Sequence, residues 1–247
     1  MNVIKLGGRV LDDPQGLTTL FQHIAQQQNL EPTLIVHGGG QQVDDLFAKL
    51  NLSVVKYHGL RVSMAEQMPL IVGALAGTVN KQLLGMAIKQ TLKPVGLTLF
   101  ETGLRVQQGQ PELGMTGHCI EPFEVSELLL TLLEQKHLPI VSCVGFDSQG
   151  QWLNVNADEA AAGLAKALSA TLTFVSDVPA VLDDQQQPIA QLDSDSIEQL
   201  IQSGTLMGGM RLKVEQALNV AQFLQKQVRI CGCSCDTRHH SGTLINP

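Results

Sequence analysis

Val3-Ile4-Lys5-Leu6-Gly7-Gly8, followed by Thr33-Leu34-Ile35-Val36-His37-Gly38-Gly39-Gly40, decides the fold. Each stretch is a short apolar run ending in consecutive glycines. Apolar runs of this length without clean alternation read as strands covered on both faces. Between them, Asp13-Pro14 supplies an N-cap and a first-turn proline, and Leu17, Leu20, Phe21 and Ile24 recur at helical spacing. A strand, a helix and a second strand in succession predict a crossover connection and a parallel sheet.

The alternation continues along the chain. A helix follows the three glycines through Val43, Leu46 and Leu50, and a long helix is expected over 64–88. Its glycines at 73, 77 and 85 suggest close packing. Strands are expected at 94–99, 139–144, 171–175 and 228–233, and helices at 125–134, 156–168, 194–202 and 208–225. Residues 100–120 read as hairpins at a sheet edge. No segment repeats at a period of 20–50 residues. The polar turn Asp147-Ser148-Gln149-Gly150 marks a seam before Val155. The fold class is therefore α/β with a mainly parallel sheet, one domain over 1–247 with lobes of 1–152 and 153–247.

Composition excludes several functions. The 247 residues carry 16 Lys plus Arg and 23 Asp plus Glu, a net charge of −7. That balance argues against nucleic acid or an anionic membrane as partner. Aromatics at 4% leave little surface for stacking bases. The N-terminus has no apolar run of the signal-peptide type, and Met68 to Val79, the longest apolar stretch, reads as too short to span a bilayer. Five cysteines, an odd number, fit reduced thiols and a cytoplasmic protein. Cys231-x-Cys233-x-Cys235, with His239-His240 beyond, places the sulfurs on one face of a strand as small apolar groups, so no metal site is expected there.

Four segments fall where parallel sheets bind ligands, beyond strand ends or at helix starts. They are Lys5-Leu6-Gly7-Gly8, Val36-His37-Gly38-Gly39-Gly40, Asn154-Val155-Asn156-Ala157-Asp158 and Gly208-Gly209-Met210-Arg211-Leu212-Lys213. Glycines let backbone approach an anion, and helix N-termini present unpaired N–H groups to it. Taken singly, each is also an ordinary turn or helix cap. The chain has no P-loop, no Gly-x-Gly-x-x-Gly opening a helix, no protein-kinase catalytic segment and no Gly-x-Ser-x-Gly elbow.

Taken in order, these segments resemble the amino acid kinase family. Ile35-Val36-His37-Gly38-Gly39-Gly40, Gly59-Leu60-Arg61-Val62 and Ser176-Asp177-Val178 extend the match over essentially the whole chain. The resemblance implies a three-layer αβα sandwich in two lobes and a homodimer. It is closest to members that move the γ-phosphoryl group of ATP, with Mg²⁺, to the side-chain carboxylate of N-acetyl-L-glutamate in arginine biosynthesis. It implies that Lys5 and Lys213 stabilise the transferring group and that Asp158 holds both lysines. Gly39, Gly40, Arg61 and Asn154 would bind the acid. Gly7, Gly8, Asp177, Val178, Pro179, Ala180, Val181, Leu182, Thr205, Leu206, Met207 and Gly209 would bind the nucleotide. It names no protein ligand for a metal. Because the first strand opens almost at Met1, insensitivity to arginine is expected.

The sequence departs from the family pattern at Thr98 to Gly103, where a Gly-x-Asp-Gly turn is common, and at Pro179-Ala180. Other acceptors (carbamate, aspartate, a nucleoside monophosphate) and a non-catalytic amino-acid-binding domain stay open as alternatives.

Overall fold

A computed structural model describes residues 1–27, 31–57, 60–233 and 242–247. The strands are β1 (Asn2–Leu6), β2 (Thr33–His37), β3 (Lys56–Tyr57), β4 (Leu60–Arg61), β5 (Pro94–Thr98), β6 (Val106–Gln108) and β7 (Thr116–Cys119). They continue with β8 (Leu138–Ser142), β9 (Val144–Phe146), β10 (Trp152–Val155), β11 (Thr171–Ser176), β12 (Gln191–Leu192), β13 (Val228–Gly232) and β14 (Thr243–Ile245). Eight of them form one sheet in the order β12-β14-β13-β11-β1-β2-β8-β5. Within it β13 and β14 are antiparallel, and the other pairings are parallel. A four-stranded sheet, β6-β7-β10-β9, and the β3-β4 hairpin stand apart from it.

The apolar strands explain the layers. Side chains alternate along a strand. Val3, Leu34, Val36, Leu172 and Phe174 face one side, against helices Glu127–Glu134, Ala157–Leu168 and Gly208–Leu224. Ile4, Leu6, Ile35 and Val175 face the other, against Leu17, Leu20 and Phe21 of helix Pro14–Gln27 and Leu83 of a second helix. The result is a three-layer αβα arrangement. Both neighbours of β1 are parallel to it, but the chain runs to β2 on one side and reaches β11 on the other much later. The crevice between β1 and β11 is thus a switch point, the usual ligand position in open α/β sheets.

Two expectations about the long helix need correction. It spans Ala65–Lys89, 25 residues, and is long and apolar enough to cross a membrane by length and composition. The reading of too short rests on the apolar run 68–79 alone, whereas the helix expected over 64–88 is close to the one observed. Here Ile71, Leu75, Val79, Leu83 and Ala87 are buried in the fold, as in a core helix. The close packing expected at Gly73, Gly77 and Gly85 is absent, since a Cβ added at any of them meets nothing within 4 Å. Gly73 and Gly85 lie on the exposed side instead. The helix also contains a π-helical stretch, Gly73–Val79, which widens its path where it passes the triglycine turn.

Residues 100–120 are only partly hairpin. β5 stops at Thr98, and Leu99–Thr102 is one helical turn whose Glu101 carboxylate accepts from the Thr98 N–H at 2.7 Å. Gly103 closes it with φ +85°, and an added Cβ would lie 2.5 Å from Ser126 N. A capped turn therefore occupies the place of the Gly-x-Asp-Gly expected from the family pattern. The β6-β7 hairpin belongs to the smaller sheet rather than to the edge of the large one. Cys231 and Cys233 are buried, while Cys235, His239, His240 and Gly59 lie outside the described residues.

Candidate active site

Lys5 lies on the same face of β1 as Val3, towards helix Ala157–Leu168. Asn156 caps that helix, its side chain accepting from the Asp158 and Glu159 N–H groups at 2.8 and 3.3 Å. The cap fixes Asp158 in the first turn, with Oδ1 2.7 Å from Lys5 Nζ. Lys5 is only 7% exposed, and an ammonium so buried without a counter-charge carries a cost of several kcal/mol. The contact has ion-pair distance without hydrogen-bond alignment, so Asp158 Oδ1 accepts no hydrogen bond.

Lys213 enters from helix Gly208–Leu224, which starts beyond the same strand ends. Its Nζ donates to Ser176 Oγ at 3.0 Å, and Ser176 Oγ in turn donates to Asp177 Oδ1 at 3.1 Å. Burial pushes the Lys213 ammonium below its usual range, Lys5 lowers it further, and Asp158 and Asp177 oppose both. Two lysines and two aspartates thus share a field at the β1/β11 crevice. Arg9, just past the first glycine turn, reaches Asp177 Oδ2 at 2.8 Å. Burial raises the Asp177 carboxyl, but Arg9, its own backbone N–H and Ser176 outweigh that and hold it below the usual carboxylate range.

Backbone surrounds these charges. A Cβ at Gly7 would sit 3.1 Å from Val175 O, whereas Gly8, Gly40 and Gly209 have open space. Gly39 has φ +154°, and a Cβ there would be 2.6 Å from Leu75 of the π-helical stretch. Helices Gly40–Lys49, Ala157–Leu168 and Gly208–Leu224 all begin at this end of the sheet. Their free N–H groups favour an anion. Beneath the triglycine turn, buried His37 has Nδ1 2.8 Å from Gly38 O and Nε2 3.1 Å from Asn80 Nδ2. Asn80 also donates to Ile140 O at 2.8 Å.

Arg61 and Asn154 form a second group beside Gly40. Arg61 Nη2 donates to Gly40 O at 2.8 Å and to the Asp44 carboxylate, and its guanidinium lies 5.7 Å from the Phe47 ring centroid. Its buried Nη1 has no hydrogen-bond partner. Asn154 Nδ2 donates to Ser63 Oγ at 3.1 Å, two residues from Arg61. The residues expected to bind the acid are thus gathered: Gly39, Gly40, Arg61 and Asn154.

The expected nucleotide residues are more scattered in exposure. Asp177, Pro179, Met207 and Gly209 are exposed, Val178, Leu182 and Thr205 are half-buried, and Ala180, Val181 and Leu206 are core residues. The buried three can offer only backbone to a ligand, and the Val181 N–H is already donated to Thr243 Oγ1 at 2.8 Å. A cavity of about 420 Å³ adjoins Thr205, lined also by Ile189, Leu192, Gln199, Leu200 and Ser203. Arg9, Asp44, Ser63 and Asn80 were not singled out from sequence. A charged or polar residue in a turn or on a helix carries no spacing signal, and each gains its role from a partner distant in the chain.

Fold and charges together define a class: an α/β kinase of small molecules, with paired lysines and glycine turns at the switch point of its sheet. The chain belongs to the amino acid kinase family, whose model matches residues 1–232. It is 47% identical over 231 residues to the acetylglutamate kinase of Vibrio cholerae serotype O1 (strain M66-2), covering 92% of this chain and 87% of that one. It is 46% identical over 255 residues to the acetylglutamate kinase of Mannheimia succiniciproducens, covering 99% and 98%. Among solved structures it is similar to smu.665 from Streptococcus mutans UA159, with 26% identity, a TM-score of 0.85 and 99% and 98% covered. A carbamate kinase from Giardia, 16% identical with a TM-score of 0.69 and 99% and 98% covered, shares the fold.

Proposed function

We propose that this chain transfers the γ-phosphoryl group of ATP to the side-chain carboxylate of N-acetyl-L-glutamate, giving N-acetyl-L-glutamyl 5-phosphate and ADP, a step in arginine biosynthesis. The observation that carries the reading is the Lys5–Asp158 pair facing Lys213, in a chain nearly half identical to acetylglutamate kinases over most of its length. A carboxylate with a reference pKa of about 4.3 is ionised at neutral pH and needs no general base. The barrier is the approach of an anion to a polyanion, so fixed positive charge and positioning supply the catalysis.

In this reading Lys5 and Lys213 take up charge on the transferring phosphoryl oxygens. Asp158 holds Lys5 by direct contact and Lys213 through its charge. Gly7, Gly8, Gly39, Gly40 and Gly209 offer backbone to phosphate and substrate, and Arg61 with Asn154 binds the amino-acid end. Arg61 Nη1, buried and unpartnered, is a donor suited to that carboxylate. Segments 177–182 and 205–207 flank the nucleotide, with residues 1–152 as acid-binding lobe and 153–247 as nucleotide lobe. Mg²⁺ arrives on the ATP phosphates, since Asp158 and Asp177 are each engaged by a cation.

The protein acts in the cytoplasm as a homodimer. Exposed Ile88, Phe100 and Leu128 flank the edge strand β5 and support that assembly, which sedimentation at micromolar concentration tests. Hydroxylamine trapping across a panel of acids tests the reaction. Hydroxamate with N-acetylglutamate alone is the expected result. Hydroxamate with another acid, or with none, overturns it.

A further inference from the structure

Among the described residues, Arg9 is a cation at the crevice to which the reaction above gives no task. It lies in the short helical turn Gly8–Asp12 that carries the chain off the end of β1. Its side chain is 80% exposed yet is held at one point, Nη1 to Asp177 Oδ2 at 2.8 Å. Asp177 follows β11, the parallel neighbour of β1. The ion pair therefore spans the crevice mouth, over the open Gly8 backbone and beside the Lys213–Ser176–Asp177 chain.

A bare carboxylate there would repel a triphosphate. The guanidinium neutralises it and, being exposed, can turn without leaving a buried charge behind. Its planar fork suits two phosphate oxygens better than the single carboxylate oxygen it now meets. An exposed pair of this kind is weak, so exchanging Asp177 for a phosphate costs little.

We infer that Arg9 is a nucleotide-phosphate-binding residue, held over the crevice by Asp177 until ATP arrives. The inference rests on the proposed ATP-dependent reaction and adds to Lys5 and Lys213 a third side-chain cation for the phosphates.

The test compares wild type, Arg9→Ala, Arg9→Lys, Asp177→Asn and the Arg9→Ala/Asp177→Asn double variant. Arg9→Ala is expected to raise KM for ATP about tenfold, as befits loss of a charge-assisted contact, with a smaller effect on kcat and on KM for the acid. Calorimetry should show ATP binding weakened by a similar factor and adenosine binding unchanged. Arg9→Lys should recover part of the loss, since a point charge remains without the fork. In the Asp177→Asn background, removing Arg9 should still weaken ATP binding about tenfold. An unchanged KM for ATP, an equal loss for adenosine, or a loss that vanishes in that background overturns the inference. Wild-type protein that forms no hydroxamate overturns the proposed reaction instead, and the calorimetric ATP comparison then judges Arg9 separately.

Discussion

Asp158 could be read as a base or as a holder of cations, and its surroundings decide between the two. It lies 2.7 Å from a buried ammonium and in the first turn of a helix, where negative charge is favoured. Both features hold the carboxylate in place and occupied, which suits positioning. Lys213 is different: Ser176 leaves its charge uncompensated by a direct ion pair, and Lys5 presses against it. Lys213→Ala should therefore lower kcat by about two to three orders of magnitude, the range for loss of one preorganised charge stabiliser, with a modest change in ATP binding. Steady-state kinetics with both substrates varied reads the split. Arg61→Ala should instead raise KM for N-acetylglutamate by roughly ten- to a hundredfold, the value of a charge-assisted contact. An unchanged KM removes Arg61 from the acid site. Sequence made these residues visible because each accompanies a glycine turn or helix start. Arg9 and Asp44 also follow glycine turns, but nothing in the sequence pairs them with Asp177 and Arg61, and only those cross-chain partners reveal them.

Elements carry those side chains, and their caps and turns set the positions. Asn156→Ala removes the acceptor for two N–H groups of helix Ala157–Leu168, at a cost of about 1 kcal/mol. Activity should fall further than that loss alone dictates, because Asp158 moves with the turn. Urea unfolding beside kinetics separates the two. Gly39→Ala places a Cβ 2.6 Å from Leu75 at φ +154°. It should cost about 1–3 kcal/mol and raise KM for the acid, as the triglycine turn shifts. Long central strands were readable in the sequence because both faces are covered and the whole run is apolar. Lys56–Tyr57 and Gln191–Leu192 were not, since two-residue strands have no period and exist through their partners. The strand expected over 139–144 runs β8 into β9, and β10 falls where only a seam is expected, because both pair in the smaller sheet. The π-helical stretch left no trace either, because an extra residue in a helical turn changes register without changing composition.

At the scale of the whole molecule, one buried histidine couples pH to stability. His37 ends β2, receives Asn80 from helix Ala65–Lys89, and shares Asn80 with the Ile140 carbonyl of β8. With Gly38 O accepting, Nδ1 carries the hydrogen and Nε2 receives the Asn80 amide, so the fold requires the neutral ring. Burial pushes its pKa from 6.5 down to about 4; the Gly38 carbonyl opposes and Lys81 assists. The folded state thus refuses a proton that the unfolded chain takes up below about 6.5. Stability is complete above that value and is lost as pH falls towards 4, by up to about 3 kcal/mol from this residue. Urea midpoints between pH 7 and pH 4.5 should decline accordingly in wild type. In His37→Gln the decline should be shallower, even though the variant starts less stable at pH 7. Equal slopes in the two proteins would mean that His37 does not carry the dependence, and that the acid sensitivity lies with the carboxylates. The same experiment reaches the active site, because His37 supports the turn that presents Gly39 and Gly40. Protonation that unlocks Asn80 should raise KM for the acid before the molecule unfolds.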